Sequence, residues 1–140
     1  MKNKLTNLII AGAFCLASSF CVAQTKESLN DIKPAKDYDN ILPQKIAGDS
    51  LSTSFIIWIK KEVKAHKHIK HSETIYILEG TGTMKVGDKS FDVKAGDYLF
   101  IPMGTVHSLK VTSTTPAKVL SIQAPEFLGD DRVFVEENAK

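Results

Sequence analysis

The four histidines of the chain, His66, His68, His71 and His107, all lie in one stretch, and Glu73 sits among them. Neutral imidazole is a common ligand for Zn, Fe, Mn, Ni and Cu, and a carboxylate adds an anionic oxygen. On a strand, alternate residues point to one face, so His66 and His68 converge on one side of a sheet. Glu73 follows across a turn, at the start of the next strand. His107 comes just after Pro102-Met103-Gly104, a turn that can aim a strand start inward. Three imidazoles and one carboxylate can hold a divalent metal and leave positions open for water or substrate. A His-x-His pair alone is a weak signal, because exposed histidines beside lysines are common, and a metal-free barrel is the competing reading. His71 lies in the turn between His68 and Glu73. It could replace a ligand, serve as an acid/base group behind the ligands, or be a solvated turn histidine. The last is the expectation, since the strand positions complete a ligand set without it.

These residues need strands to position them. Ser52 to Val63 is rich in Ser, Thr, Ile, Phe and Trp with no helical period, and reads as one long strand or two. Thr74 to Leu78 is a compact β-branched and aromatic run. Thr83 to Val86 and Ser90 to Val93 flank Gly87-Asp88, a tight hairpin signal. Tyr98 to Ile101, Thr105 to Val111 and Ala117 to Gln123 read as further strands, with Val133 to Val135 pairing at an edge. Gly80, Gly96 and Gly104 mark turns, and Asp97 caps one of them. No amphipathic helical period of useful length occurs. Short strands with frequent turns point to an all-β barrel or sandwich. Ile75, Ile77, Phe100 and Leu109, then Trp58 and Tyr76, are candidate pocket walls, with core packing the simpler reading for each.

The 140 residues suit one domain. Lys2 and Lys4 precede an apolar run, Leu8 to Leu16, too short to span a bilayer well, and Cys21-Val22-Ala23 places small residues before a cleavage after Ala23. Residues 1–23 therefore read as a signal peptide, 24–48 as a polar N-terminal arm, and 49–140 as the β-barrel domain. The arm reads as loosely ordered, with room for a short edge strand near Asn40 to Leu42. The expected mature chain is exported, to the periplasm or beyond, with no membrane attachment after cleavage. Two of the 18 basic residues leave with the signal, which balances the remaining 16 against 16 acidic residues. Cys15 and Cys21 leave too, so the mature domain has no disulfide and no thiolate chemistry. No basic cluster is interleaved with aromatics, and nucleic acid is not an expected partner. Lys60, Lys61, Lys64, Lys67 and Lys70 read as a solvated edge and loop.

The spacing of the whole stretch resembles the cupin family. The first family motif runs Gly-x5-His-x-His-x(3,4)-Glu-x6-Gly, and this chain has His66-x-His68, four residues, Glu73, six residues and Gly80. The second runs Gly-x5-Pro-x-Gly-x2-His-x3-Asn, matched here by Gly96, Pro102, Gly104 and His107. Fifteen residues separate Gly80 from Gly96, which suits small single-domain cupins. The leading glycine of the first motif falls at Lys60, and the closing asparagine of the second at Val111. Both departures touch turn geometry more than metal binding. The resemblance covers roughly Phe55 to Gln123. It implies a small jelly-roll β-barrel, with His66, His68, Glu73 and His107 as ligands of one divalent metal.

The family carries dioxygenases, isomerases, lyases and decarboxylases, so fold-level analogy does not choose among them. The apolar walls and the lack of a phosphate loop favour a dioxygenase-like reaction with Fe or Mn on a small oxygen-bearing molecule, with Zn or Ni as other candidate metals. A non-catalytic barrel that binds a small ligand is the alternative. Pairing of sheet edges into a homodimer is expected by the same resemblance.

Overall fold

The computed structural model describes residues 26–136. The expected signal peptide and the cleavage after Ala23 lie outside the described residues. Ten strands form the fold among the described residues: β1 Ile41–Gly48, β2 Thr53–Ile59, β3 Glu62–His68, β4 Ser72–Glu79, β5 Thr81–Val86, β6 Lys89–Lys94, β7 Tyr98–Ile101, β8 His107–Val111, β9 Ala117–Ala124 and β10 Arg132–Phe134. They make two five-stranded antiparallel sheets, ordered β1-β2-β9-β4-β7 and β10-β3-β8-β5-β6. This is the all-β jelly-roll architecture expected from the sequence. The two sheets are not closed into one continuous barrel.

Apart from the β1–β2 and β5–β6 hairpins, neighbours in sequence lie in different sheets. The chain therefore crosses the core at almost every turn. The run from Ser52 to Val63 splits into β2 and β3 at Lys60-Lys61, and the two strands enter opposite sheets. The same crossing between β3 and β4 sets His66 and His68 on one sheet and Glu73 on the other. The β5–β6 hairpin turns on Gly87-Asp88, with Val86 opposite Lys89. Gly87 has φ +57°, as the first central position of a two-residue hairpin turn demands.

Alternation along β9 sorts its residues by face. Ala117, Val119, Ser121 and Gln123 are buried between the sheets. The row changes chemistry along the barrel: Val119 lies opposite Ile77, Ser121 opposite Ile75, and Gln123 opposite Glu73. One end of the interior is thus an apolar core of Ile59, Ile75, Ile77, Met84, Val93, Ile101, Leu109, Ala117 and Val119. The other end is polar. Burying each of the larger aliphatic side chains stabilises the fold by about 1.5–3 kcal/mol, and that core holds the polar end in place.

The outer face of the first sheet is covered as well. Leu42, Ile56 and Trp58 form a second buried cluster with Leu29, Ile32, Tyr38 and Leu120 packed against it. Trp58 is therefore a packing residue. The arm is docked over its described part, contrary to the loosely ordered terminus read from its polar sequence. The reason is Lys118, which points outward from β9 and is 2% exposed. Its Nζ donates to the carbonyls of Leu29 (2.7 Å) and Ile32 (2.9 Å) and lies 3.5 Å from Glu79 Oε1. A buried ammonium is tolerated only with such partners, and here the carbonyl partners come from the arm. Pairing also extends further into the arm than the short edge strand expected near Asn40 to Leu42. β1 runs from Ile41 to Gly48 along the whole of β2, at a sheet edge.

Candidate metal centre

β3 and β8 pair so that His66 and His107 are direct cross-strand partners, with ring centroids 4.2 Å apart. The register shifts between Val63 and His66. This bulge reverses the alternation, so that Val63 and His66, three apart, both face the interior. His68 follows His66 on the same face. The turn before β8 is stapled to the end of β3, because the Gly104 N–H donates to His68 O at 2.7 Å. Gly104 has φ +80°, which the bend from Pro102 into β8 requires. At Lys60, where the first family motif has its leading glycine, the backbone has no positive φ. The missing glycine there leaves an ordinary backbone.

Glu73 approaches from β4 in the opposite sheet. One nitrogen or oxygen from each of His66, His68, Glu73 and His107 lies within 4.8 Å of the others, and all four residues are buried. Glu73 Oε1 accepts hydrogen bonds from Ser121 Oγ and from Gln123 Nε2, the latter at 3.2 Å. Its Oε2 faces His107 Nε2 at 3.1 Å and His68 Nε2 at 3.6 Å.

The three imidazoles share one orientation. His66 Nδ1 donates to Lys64 O (2.8 Å) and His107 Nδ1 to Thr105 O (3.0 Å). A carbonyl only accepts, so these rings carry their proton on Nδ1, and in the neutral state Nε2 keeps its lone pair. His68 Nδ1 lies 3.2 Å from Asp131 Oδ1, which holds it in the same tautomer. The Nε2 atoms of His68 and His107 are buried and have no hydrogen-bond partner among the described residues. A lone pair 3.1 Å from a carboxylate oxygen is repulsive unless a positive charge lies between them. That charge is either a second proton on an imidazole or a metal ion. Metal-ligating histidines commonly donate their other ring N–H to a carbonyl or carboxylate, which is the pattern here.

Electrostatics separates the rings. Burial, reinforced by His107, pulls His66 down to about 4. Burial also opposes charge on His68, but the facing carboxylates of Glu73 and Asp131 outweigh it and raise its pKa. Burial works against the Glu73 carboxylate too. The facing imidazoles and Ser121 overcome it and hold Glu73 well below the usual range.

His71 is not the solvated turn residue expected from its position. It is 2% exposed, stacks on His68 with ring centroids 4.4 Å apart, and meets the edge of Phe127. Its Nδ1 lies 2.8 Å from Asp131 Oδ2. Asp131 thus bridges His68 and His71, and it also accepts from the Lys70 backbone N–H at 3.1 Å. Sequence reasoning missed Asp131, Ser121 and Gln123. Asp131 sits in a polar loop with no motif around it, and Ser121 and Gln123 are two ordinary polar residues on a strand. The one available signal was their alternation with Val119, which puts them on an inward face.

A cavity of about 60 Å³ adjoins the cluster, lined by Ile57, Ile59, Val63, Ile75, Met84, Leu109 and Val119 together with His66, Glu73, His107, Ser108 and Arg132. Ile75 and Leu109 are therefore walls, as expected. Ile77 belongs to the core beyond. Phe100 and Tyr76 are 54% and 39% exposed on the outside of their sheet and line no part of this cavity. Asp97 caps its turn, its Oδ2 accepting from the Lys94 N–H at 2.8 Å.

The Cupin domain profile matches residues 55–123, the span that carries all four cluster residues. The chain belongs to the cupin family. An uncharacterized protein of Methanocaldococcus jannaschii is 33% identical over 81 residues, an alignment that spans 58% of this chain and 65% of that protein. Quercetin 2,3-dioxygenase of Bacillus subtilis is 42% identical over 48 residues, 34% of this chain and 14% of that enzyme. The cupin fold itself is matched by the crystal structure of a Klebsiella pneumoniae protein with a double-stranded β-helix domain. The TM-score is 0.68 at 18% identity, over 82% of this chain and 100% of that one.

Proposed function

We propose that this cupin holds one divalent metal through Nε2 of His66, His68 and His107 and the Oε2 of Glu73. The observation that carries the reading is the 3.1 Å contact between His107 Nε2 and Glu73 Oε2, made while the Nδ1 proton of His107 is committed to Thr105 O. Without a metal ion between them or a second proton on His107, two electron-rich atoms would be buried face to face. Open positions on the ion would face the cavity and take a small oxygen-bearing molecule.

The activity we favour is dioxygenase-like, with Fe or Mn as the metal, and isomerase-like chemistry is the next candidate. Similarity to a quercetin dioxygenase over 48 residues supports the first. When bound, such an ion supplies Lewis acidity or activation of dioxygen. The chain's own part is to orient and to exclude water. Ser121 and Gln123 hold Glu73, Asp131 holds His68, and the aliphatic walls keep solvent from the ligand. A second reading, a barrel that binds a small ligand without turnover, is favoured by one feature. Among the described residues, no carboxylate or imidazole outside the proposed ligand set lines the cavity.

The test is metal analysis of the purified mature protein and of the His66→Ala/His107→Ala double variant. One equivalent in the parent and none in the variant is expected. A full equivalent retained by the variant would sink the ligand assignment. Bound zinc that resists exchange would remove the dioxygenase reading, while oxygen uptake by the iron-loaded protein with a diketone or catechol would exclude the binding-only one. The proposal includes export to the periplasm and a homodimer. Mass spectrometry of periplasmic protein should give a chain starting at Gln24, and an intact Met1 would overturn it. Sedimentation at monomer mass would overturn the dimer.

A further inference from the structure

The metal reading leaves one charged side chain at the cavity without a task. Arg132 is the cross-strand partner of His68 in the β10–β3 pair. Directly opposed residues in an antiparallel pair share a face, and His68 faces the interior. Arg132 accordingly lines the cavity, and it is the only cationic side chain that does so among the described residues. It remains exposed, at the mouth rather than in the depth.

The nearby carboxylates are engaged elsewhere. Asp131 is taken by His68, His71 and the Lys70 N–H, and Asp130 pairs with Lys70 at 2.8 Å. No carboxylate among the described residues forms an ion pair with Arg132.

We propose that Arg132 is a specificity residue that selects a small aliphatic carboxylate, seated with its chain against the Ile57, Ile59, Val63 and Val119 walls and its anionic end on the guanidinium. This rests on the metal reading above and names the ligand class of that same site. Three features support it. The planar fork of arginine matches a carboxylate with two parallel hydrogen bonds. The walls are aliphatic, and they enclose only about 60 Å³, which limits the buried part of the ligand to a few atoms. With a divalent ion bound, the ion, Glu73 and Arg132 leave the cavity net positive, which draws anions and repels cations. With no second cationic side chain lining the cavity among the described residues to form a phosphate clamp, a monoanion suits the guanidinium better than a phosphate dianion.

Calorimetric titration of the metal-loaded mature protein with isovalerate and with its neutral isostere isovaleramide tests this, with metal content measured on every sample. Isovalerate should bind at least about ten-fold more tightly than the amide, since a hydrogen-bonded charge pair contributes that much or more. Arg132→Gln should cut that preference several-fold and leave the metal equivalent unchanged, the charge of the ion accounting for what remains. Arg132→Lys should restore part of the preference, because it returns the charge without the fork. Equal binding of the acid and the amide would overturn the inference, as would an unchanged preference in Arg132→Gln. Inorganic phosphate binding more tightly than isovalerate would also overturn it. The metal reading fails separately. If the parent carries no metal, an Arg132-dependent preference for isovalerate in the metal-free protein still supports the role of Arg132.

Discussion

Asp131 Oδ1 lies 3.2 Å from His68 Nδ1, joining residues 63 positions apart in the chain and both almost fully buried. The other carboxylate oxygen takes His71, so a single side chain orients two stacked rings. Asp131→Asn keeps the shape but gives up the charge and an acceptor. Loss of such a partner behind a metal ligand typically costs about 10–100-fold in affinity. Competition titration with a chelating dye should give a drop of that order at an unchanged circular dichroism spectrum. Parental affinity in Asp131→Asn would remove Asp131 from the site.

Glu73→Gln separates the carboxylate's charge from its hydrogen bonds. Ser121 and Gln123 retain a carbonyl oxygen to donate to, so the fold should survive. Metal affinity should fall by at least about ten-fold, the cost of losing one charge-assisted contact. In the metal-free variant the His68 pKa should drop, because Glu73 heads the influences that raise it against burial. Proton NMR of the His68 ring checks this. A His68 titration that does not move would mean Glu73 is not its partner in solution.

The metal-free protein should lose stability as pH falls from about 6.5 toward 4. Burial depresses His66 to about 4 in the fold, against an ordinary value of 6.5. Between those values the unfolded chain binds the proton and the folded one does not, so stability falls with falling pH. Glu73 has the same sign at lower pH: its depressed pKa stabilises the fold above the ordinary carboxylate value, and that contribution is lost on acidification. His68, with its raised pKa, contributes stability that is present below 6.5 and is lost as pH rises, outside this window. Thermal melts in chelator across the range should show the decline, and His66→Asn should flatten its upper part. A melting temperature constant from pH 6.5 to 4 would contradict the assignment.

Lys118→Ala should free the arm. The substitution strands the carbonyls of Leu29 and Ile32 and uncovers part of the Trp58 cluster. An acceptor left without a donor costs about 1–3 kcal/mol where water is shut out, and less at these half-buried carbonyls. Limited proteolysis should cut among residues 26–40 faster than in the parent, while one metal equivalent is retained, because the latch lies on the far face of the sheet. Unchanged cleavage would show that the apolar contacts alone dock the arm.

The sequence by itself determined the strand-rich fold and the identity of the clustered residues. Alternation is a local property of a strand, so His66 and His68 had to share a face. The spacing to Glu73, Gly104 and His107 carried the family pattern. Strands β7 and β9 begin at the residues read from the sequence and end at most one residue from the expected limit. What stayed hidden depends on which strands meet and in what register. His71 looked solvated because nothing near it in sequence could bury it, and its cover, Asp131 and Phe127, arrives from more than fifty positions away. Ser121 and Gln123 became partners of Glu73 only through the β4–β9 register, and Arg132 reached the cavity only by pairing with His68. The polar residues of the arm suggest a loose terminus, yet the lysine that docks it lies on β9. Local pattern decides which way a side chain points; the pairing of distant strands, with the bulge before His66, decides what it finds there.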